Sequence, residues 1–286
     1  MGYFLEFLIN GIVTGSVYTL IAVGLSLTFS IMKLINFAHG EFYMIGAYAS
    51  WVIVSHLVDN WWLSFFLVVM GGAALGVLIE RVFRPTYGRG LLSQFTISLG
   101  LVIIMQDSII ATLGGVTRHV QSIFTTVRQF GNIRITDQRF LIFGLSVATL
   151  TALFLFFRYT KTGKAMRATA GNKLAAGMIG IKTNRMAMYA FITGIALAAA
   201  SGALLAPLYV VQPFMGTRLT GIAFAACVLG GLGSIGGAAI AGFVLGIVES
   251  LFAAYVSIEW SYAAIFAVFV AILLFKPLGL FGREVF

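Results

Sequence analysis

Long uninterrupted runs of apolar residues dominate this chain. Residues 7–32, 60–79, 140–157, 186–217 and 219–248 contain no Asp, Glu, Lys, Arg or His. Because a helix that crosses a bilayer needs about 17–25 apolar residues, several runs hold one crossing and two hold more. The pattern predicts crossings near 8–31, 38–57, 61–80, 91–113, 140–158, 188–211, 219–235, 237–257 and 260–278. The short segment 219–235 leads into the glycine-rich "GGLGSIGG", so a re-entrant element is the alternative there.

Composition agrees with a protein embedded in a membrane. The 286 residues are 60% hydrophobic and 9% charged, with a mean hydropathy of +1.02. A soluble domain is about 25% charged, so this chain cannot cover a water-facing surface. Cys227 is the single cysteine, which excludes a disulfide framework. We therefore predict an all-α polytopic transmembrane bundle of about 8–9 spans, with residues 1–286 as one domain.

Loop charge predicts the orientation of the bundle. The net charge of +9 is compatible with nucleic-acid binding, but membrane proteins keep Lys and Arg in their cytoplasmic loops. Residues 158–185 hold seven cations and no acid, which predicts that this loop is cytoplasmic. The N-terminus then lies outside and the C-terminus inside. The loop 114–139 carries four arginines against Asp137 alone and argues the other way, but its charge is less dense.

Small residues recur at a spacing that favours close helix packing. The motifs are Gly11-x-x-x-Gly15, Gly72-x-x-x-Gly76 and Gly242-x-x-x-Gly246. No internal repeat is evident by eye. A weak echo links "NFAHGEFYMIGAYAS" with "LGSIGGAAIAGFVLG", and it is too weak to predict a repeat by itself.

The stretch "GKAMRATAGNKLAAGMIGIKTNRMAMYAFITG", residues 163–194, has the pattern of a short amphipathic helix. At 3.6 residues per turn, Ala170, Leu174, Met178 and Ile181 share one face, and Gly180 lies where a C-terminal cap is expected. These positions predict a helix of about three turns. It is too short to span, so its apolar face must bind either the membrane surface or a groove of a partner.

The stretch "INFAHGEFYMIGAY", residues 35–48, places a histidine and a carboxylate between apolar runs. His39 and Glu41 are too few for a metal site, and no nucleophile accompanies them. Asn36 can cap a helix that begins here, and Glu41 suits the positive end of its dipole. A structural role and a gating role both remain open. The pathway or gate candidates are Asn36, His39, Glu41, Asp107 and Glu249.

Three segments resemble one family of membrane proteins. "RATAGNKLAAGMIGI" is similar to the coupling segment of permease subunits from ATP-binding-cassette (ABC) importers. "INFAHGEFYMIGAY" with "VLGGLGSIGGAAIAGFVLGIVE" resembles the branched-chain amino-acid (LivH-type) permeases, and the likeness runs from "NGIVTGSVYTLIAVGLSL" to "KPLGLFGR". The resemblance implies an ABC importer permease fold without covalent chemistry. Its implied partners are a second permease, identical or homologous, two cytoplasmic ATPases and an extracytoplasmic solute-binding protein.

The resemblance also implies roles for particular residues. Residues 159–186 would form a cytoplasmic coupling loop, with ATPase contacts from Arg167, Ala170, Asn172, Leu174, Ala175, Ala176, Met178, Gly180 and Ile181. The outer loop would meet the binding protein through Arg118, Arg128 and Arg134, unless these are only solvated charges.

No cofactor is expected in this chain. A G-x-x-x-x-G-K-[ST] phosphate loop does not occur in it, so ATP would be bound by the partner subunits. The expected solute is a branched-chain or other small amino acid, and the expected location is the inner membrane of a bacterium or archaeon. The alternative is an ion-coupled secondary transporter of small polar solutes, for which few intramembrane titratable groups are present.

Overall fold

The structure is a computed structural model that describes residues 2–58, 60–87, 90–130 and 133–281. Its helices are α1 (Gly2–Met32), α2 (His39–Val52, continued by a π-helical turn, Ile53–Leu57), α3 (Trp61–Phe83), α4 (Leu91–Leu113), α5 (Asp137–Tyr159), α6 (Lys161–Gly171), α7 (Lys173–Met178), α8 (Thr183–Leu205), α9 (Met215–Gly230), α10 (Ile235–Tyr255) and α11 (Ile258–Phe275). A 3-10 turn, Arg84–Thr86, follows α3. A small antiparallel hairpin, β1 (Val127–Phe130) with β2 (Ile133–Thr136), joins α4 to α5. The predicted helical bundle is confirmed, with this hairpin added.

Seven helices in the described part of the chain are long and apolar enough to cross a membrane: α1, α3, α4, α5, α8, α10 and α11. The helix α9 has 16 residues, or about 24 Å, and a hydrocarbon core is about 30 Å thick. It corresponds to the predicted crossing at 219–235 and is largely buried. We call the end of the bundle that carries residues 158–185 the inner end, and the opposite end the outer end.

The helix α2 begins inside the bundle and not at its inner end. The Nε2 atom of His39, the first residue of α2, lies 3.2 Å from the carbonyl oxygen of Ile21 in α1. Because α1 continues to Met32, it extends about 15 Å further towards the inner end. The chain therefore turns at Lys33, which has a positive φ of 53°, and returns to the interior before α2 starts.

The helix α9 also begins inside the bundle, at the same place as α2. After α8 ends at Leu205, the chain runs along the outer side, where Val211 pairs with Arg118. It then returns inward, and Gly216 in the first turn of α9 meets Gly40 in the first turn of α2. From this point α2 runs to the outer end and α9 to the inner end. Two of the nine predicted crossings therefore combine a non-helical segment with a short helix.

The elements α1–α2–α3 and α8–α9–α10 repeat the same order in opposite directions. The helix α1 packs mainly against α10, and α3 packs mainly against α8. Gly72 and Gly76 of α3 contact α8, while Gly242 and Gly246 of α10, each 170 positions later, contact α1. The predicted close packing of these small-residue motifs is confirmed.

Gly24 of α1 and Gly194 of α8 mark the centre of this inverted arrangement. A Cβ atom on either glycine would come within 2.8 Å of the carbonyl oxygen of the other, so only two glycines allow this crossing. They are also 170 positions apart. The weak sequence echo linked residues 36–50 with 232–246, which is wrong, because α2 corresponds to α9 and not to the start of α10.

Candidate functional site

The first turns of α2 and α9 lie directly against each other. The backbone N–H of Gly40 donates to Thr220 Oγ1 at 3.0 Å, so a side chain of α9 satisfies an N-terminal amide of α2. The carboxylate of Glu41 in α2 lies against Gly216 at the start of α9. A carboxylate is favoured at the positive end of a helix dipole. Gly40 and Gly216 lie so close that a Cβ atom on either would overlap the other helix.

The carboxylate of Glu41 is fully buried and only half satisfied. Its Oε1 atom accepts hydrogen bonds from Gln106 Nε2 of α4 at 2.9 Å and from Thr217 Oγ1 of α9 at 3.1 Å. Its Oε2 atom is buried and has no hydrogen-bond partner among the residues that the structure describes, and the residue is 0% exposed. Buried polar atoms are usually paired, so an unpaired carboxylate oxygen at this depth marks a functional candidate.

A cavity of about 310 Å³ adjoins Glu41 and Thr217. It lies between α4 and α11, with the start of α2 and one face of α9 at its back. Its remaining wall is almost entirely apolar and includes Phe37, Leu99, Val102, Phe224, Phe266 and Phe269. The rings of Phe37 and Phe224 stack with their centroids 5.6 Å apart. The cavity thus combines one carboxylate with aromatic and aliphatic surface.

His39 and Asn36 are near Glu41 in sequence but face other neighbours. His39 is buried against α1, with its ring nitrogen on the carbonyl of Ile21, and makes no contact with the carboxylate network. Asn36 Oδ1 accepts the backbone N–H of Ala38 at 3.0 Å and so caps the turn before α2. The prediction that Asn36 caps α2 is wrong, because the N-cap residue is Ala38, which has no capping side chain; Asn36 closes the turn that precedes the helix.

Glu249 belongs to a separate, partly buried network. Its Oε1 atom accepts from Arg218 Nη2 at 2.8 Å, and its Oε2 atom accepts from the hydroxyl of Tyr18. The guanidinium of Arg218 lies 4.9 Å from the ring centroid of Tyr262, whose hydroxyl donates to the Arg218 carbonyl. The predicted pairing of Glu249 is present, but its side chain is 13% exposed and that of Arg218 is 48% exposed, so the pair is only partly buried. The network joins the start of α9 to α1, α10 and α11.

Asp107 is exposed on α4 at the depth of the Glu41 site. Its neighbour Gln106 donates a hydrogen bond to Glu41, so Asp107 lies at the same level along the bundle as Glu41. The side chain of Asp107 is exposed. Charged side chains inside a bilayer rarely face lipid. This face of α4 is therefore suited to a partner subunit or to a water-filled passage.

The loop 159–186 contains two helices in place of the predicted three-turn helix. Asn172 adopts an extended conformation, ends α6 and caps α7, with its Oδ1 atom accepting from the N–H of Ala175 at 2.9 Å. The prediction of one helix over this segment is wrong, because an Asn side chain satisfies the start of a second helix here. The predicted cap at Gly180 is confirmed: its φ is +87°, and Ile181 N–H bonds to Ala176 O while Gly180 N–H bonds to Gly177 O.

The helix α6 is fixed to the bundle, and α7 projects from it. Met166 of α6 is fully buried, and Gly163 packs directly on the backbone of α5. On α7 and its cap, Leu174 is 82% exposed, Met178 83% and Ile179 76%. Ala170 and Ile181 are half-buried, and Ala176 is 3% exposed, so Ala176 faces the bundle and not a partner. Arg167 and Asn172 are exposed, and Ala175 is half-buried.

One contact links α7 to the inner end of α3. The ammonium of Lys173 lies 5.9 Å from the ring centroid of Tyr87, whose hydroxyl donates to Glu80 at 3.1 Å. Glu80 also forms an ion pair with Arg84 at 2.8 Å. A displacement of α7 would therefore act on α3 through Tyr87 as well as on α6 through the backbone.

The three outer arginines differ in how far their charged groups are exposed. Arg118 is half-buried, stacks on Trp51 at 4.7 Å and donates to the carbonyl of Leu113, so it stabilises the outer loop. Arg128 forms an ion pair with Asp137 at 2.6 Å and remains largely exposed. Arg134 is exposed on β2. Of the three predicted docking residues, Arg128 and Arg134 present charge to the outside.

The site also includes residues that the sequence pattern did not single out: Gln106, Gly216, Thr217, Arg218 and Thr220. Threonine and glutamine in apolar helices are common, so their types carry little signal. Arg218 was visible as the only charge between residues 186 and 248. Gly216 is the counterpart of Gly40, but the surrounding letters differ too much for that relation to be read.

An inverted helical bundle with two broken crossings that meet at a buried carboxylate is the architecture of a membrane transport protein. A match to a known family narrows this class to one family of transport proteins. The family model described as "Branched-chain amino acid transport system / permease component" matches residues 7–273, and the chain belongs to this family. The chain is thus a multi-pass permease subunit and not an enzyme. This confirms the class predicted from the resemblance and favours it over an ion-coupled transporter.

Curated relatives resemble the chain over nearly its whole length. The high-affinity branched-chain amino acid transport system permease protein LivH of Escherichia coli is 37% identical, over 98% of this chain and 96% of the relative. BraD of Pseudomonas aeruginosa is 33% identical over the same shares. A probable LivH from the archaeon Methanocaldococcus jannaschii is 26% identical over 96% and 91%. No solved structure matches the chain significantly.

Proposed function

We propose that the chain forms one half of the pathway of an ABC importer for branched-chain or other small amino acids. A second permease, identical or homologous, forms the other half, and two cytoplasmic ATPases bind the ATP, so this chain holds no cofactor. An extracytoplasmic binding protein delivers the solute. The complex lies in the inner membrane of a bacterium or archaeon. The identity to relatives named as branched-chain amino acid permeases supports the solute class.

The observation that carries the proposal is the exposed apolar surface of α7. Leu174, Met178 and Ile179 project from the end of the bundle that holds the cation-rich loop, surrounded by exposed lysines and arginines. A six-residue helix with this much free apolar surface suits the groove of a partner. The residues 159–186 would then act as the coupling loop, with Arg167, Ala170, Asn172, Ala175 and Ile181 beside the contact and Gly180 shaping its end.

Work would pass from the ATPase to the bundle through rigid elements. The helix α7 is joined to α6, which packs on α1, α5 and α8, and Lys173 contacts Tyr87 next to α3. Packed helices move as units and do not stretch. A closing movement of the two ATPases would therefore shift α1 and α8, the helices that precede α2 and α9 in the chain.

Asp107 supports a second permease on the face formed by α4 and α11. A carboxylate exposed at the depth of Glu41 is costly in lipid, and a passage between two permeases would supply water to it. On the outer side, Arg128 and Arg134 are available to acidic groups of a binding protein, because charge complementarity orients such docking.

The coupling proposal is tested by making α7 polar. The double variant Leu174→Ser with Met178→Ser should assemble in the membrane with unchanged thermal stability, because both side chains are exposed. It should lose co-purification of the ATPases and lose ATP-driven leucine uptake by about tenfold or more. Val116→Ser, an exposed apolar residue of the outer loop, is the matched control. Uptake at the wild-type rate in the double variant would overturn the proposal.

A further inference from the structure

A groove of about 650 Å³ lies on the bundle between α5 and α10, with α1 beneath it. Val23 of α1 lines the groove and is buried, so it forms the floor. Phe154 of α5 and Gly236 of α10 line its sides and are exposed. The groove shares no lining residue with the cavity beside Glu41. It is therefore a separate feature, and we call it the α5–α10 groove.

The α5–α10 groove is apolar for most of its length. Leu150 and Arg158 both line it and are eight positions apart, so it follows α5 for about 12 Å. Apart from Thr151 and two arginines, its lining is aliphatic, aromatic or glycine. Both α5 and α10 are long and apolar enough to cross a membrane. The apolar part of the groove therefore faces the hydrocarbon layer, where it suits an acyl chain.

Two arginines line the groove at its inner end. Arg158 lies in the last turn of α5, and Arg167 lies on α6. The helix α6 folds onto α5 because Gly163 packs directly on the backbone of Phe156 and Phe157. Arg167 follows Gly163 by four positions and so lies on nearly the same side of α6. The fold thus brings two cations from different helices to one end of an apolar groove.

Neither arginine is neutralised by an acid in the described part of the chain. The ion pairs found there involve Arg84, Arg128 and Arg218, and no described Asp or Glu lines the groove. The guanidinium of Arg158 lies 5.6 Å from the ring centroid of Tyr159, and both Arg158 and Arg167 are exposed. The planar guanidinium group matches the geometry of phosphate oxygens. The inner end of the groove is therefore suited to a phosphate.

We propose that the α5–α10 groove binds an anionic phospholipid, with its phosphate at Arg158 and Arg167 and an acyl chain along α5 and α10. Basic pockets between membrane helices on the cytoplasmic side suit such head groups. A zwitterionic lipid fits less well, because its ammonium group finds no carboxylate in the groove. This inference goes beyond the proposed function, since it adds a ligand that is not the solute.

The position of this lipid gives it a structural consequence. Arg158 belongs to α5 and Arg167 to α6, so a lipid held by both arginines connects the two helices. The helix α6 leads directly into α7, the helix proposed to contact the ATPase. A bound anionic lipid therefore stabilises the helix from which α7 projects.

The test measures lipid binding to the complete importer, purified in detergent with its ATPases. The importer is titrated with phosphatidylglycerol or with phosphatidylcholine of the same acyl chains, and bound lipid is counted by native mass spectrometry. The wild type should bind phosphatidylglycerol more tightly. The double variant Arg158→Ala with Arg167→Ala should lower the affinity for phosphatidylglycerol by about tenfold or more, because charge-assisted hydrogen bonds to the phosphate are lost.

A matched control removes the same net charge from the same region. Lys161 and Lys164 lie on α6, and neither of them lines the groove. The double variant Lys161→Ala with Lys164→Ala should therefore bind phosphatidylglycerol with the wild-type affinity.

A second variant tests the acyl-chain part of the groove without changing any charge. A Cβ atom on Gly236 would have nothing within 4 Å, so Gly236→Leu fits without moving the backbone and fills the groove. It should also lower the affinity for phosphatidylglycerol. Gly144→Leu, on α5 outside the groove and with the same open space, is the control. Should the arginine variant fail to assemble, Gly236→Leu decides alone.

The outcomes separate this inference from the proposed function. Wild-type affinity for phosphatidylglycerol in either the arginine variant or Gly236→Leu overturns the lipid site. Equal affinity of the wild type for the two lipids, or an equal loss in the lysine control, shows unselective attraction and also overturns it. So does the absence of any bound lipid, as when a partner subunit fills the groove. Failure of the wild type to take up any amino acid removes the proposed function and leaves the lipid site in place.

Discussion

At the scale of residues, His39 and Glu41 show what spacing in a sequence can reveal. Two positions along a helix correspond to a rotation of about 200°, so the two side chains point in nearly opposite directions. His39 packs on α1, while Glu41 faces α4 and α9. The sequence could identify Glu41 as unusual in an apolar run. It could not supply Gln106 and Thr217, which come from helices 65 and 176 positions away.

Thr220 allows a direct test of the capping of α2 by a side chain of α9. Thr220→Val removes the acceptor for the Gly40 N–H, and a buried amide left without a partner costs about 1–3 kcal/mol. We expect a lower thermal unfolding temperature for the purified complex and reduced uptake. Thr149→Val, whose hydroxyl bonds only within α5, is the control. Equal stability of the two variants would contradict the capping role.

At the scale of elements, continuous apolar helices were predictable and interrupted ones were not. The crossings α3, α4, α5, α10 and α11 follow from runs of apolar residues with polar ends, and Asn60 and Ser257 cap two of them. The stretches 33–38 and 206–214 are also mostly apolar, so their hydropathy does not separate non-helical chain from helix. Their polar backbone groups are tolerated because protein surrounds them. In the loop 159–186, Asn172 was a visible helix-cap signal, but the helical periodicity outweighed it in the prediction.

Two glycines five positions apart in α3 test the packing between the repeats. A Cβ atom on Gly76 would lie 2.6 Å from Ile192 Cα, whereas Gly71 has open space. Gly76→Ala should therefore destabilise the protein, because two backbones must separate. Gly71→Ala should be neutral or stabilising by about 0.5–1 kcal/mol, since alanine is the better helix former. Thermal unfolding of both variants is the measurement, and a loss of stability in Gly71→Ala as large as in Gly76→Ala would refute this account of the interface.

At the scale of the whole molecule, the inverted repeat organises the protein around one point. Its trace in the sequence is limited to glycines 170 positions apart, because each half packs against different neighbours and its other side chains have diverged in type. The orientation in the membrane is predicted from loop charge. The contact between Lys173 and Tyr87 shows that the loop 159–186 and the end of α3 lie at the same end of the bundle. The family assignment adds the class of the protein, which packing alone does not define.

The central claim is that a bundle without its own ATPase receives mechanical work through α7. Disulfide cross-linking tests it most directly, because Cys227 is the single cysteine and Cys227→Ser gives a cysteine-free background. Met178→Cys should cross-link to a cysteine placed in the groove of the ATPase and block leucine uptake until a reductant is added. Val116→Cys, on the outer loop, should form no such link. Absence of a cross-link from position 178 to any ATPase cysteine in the active importer would contradict the account.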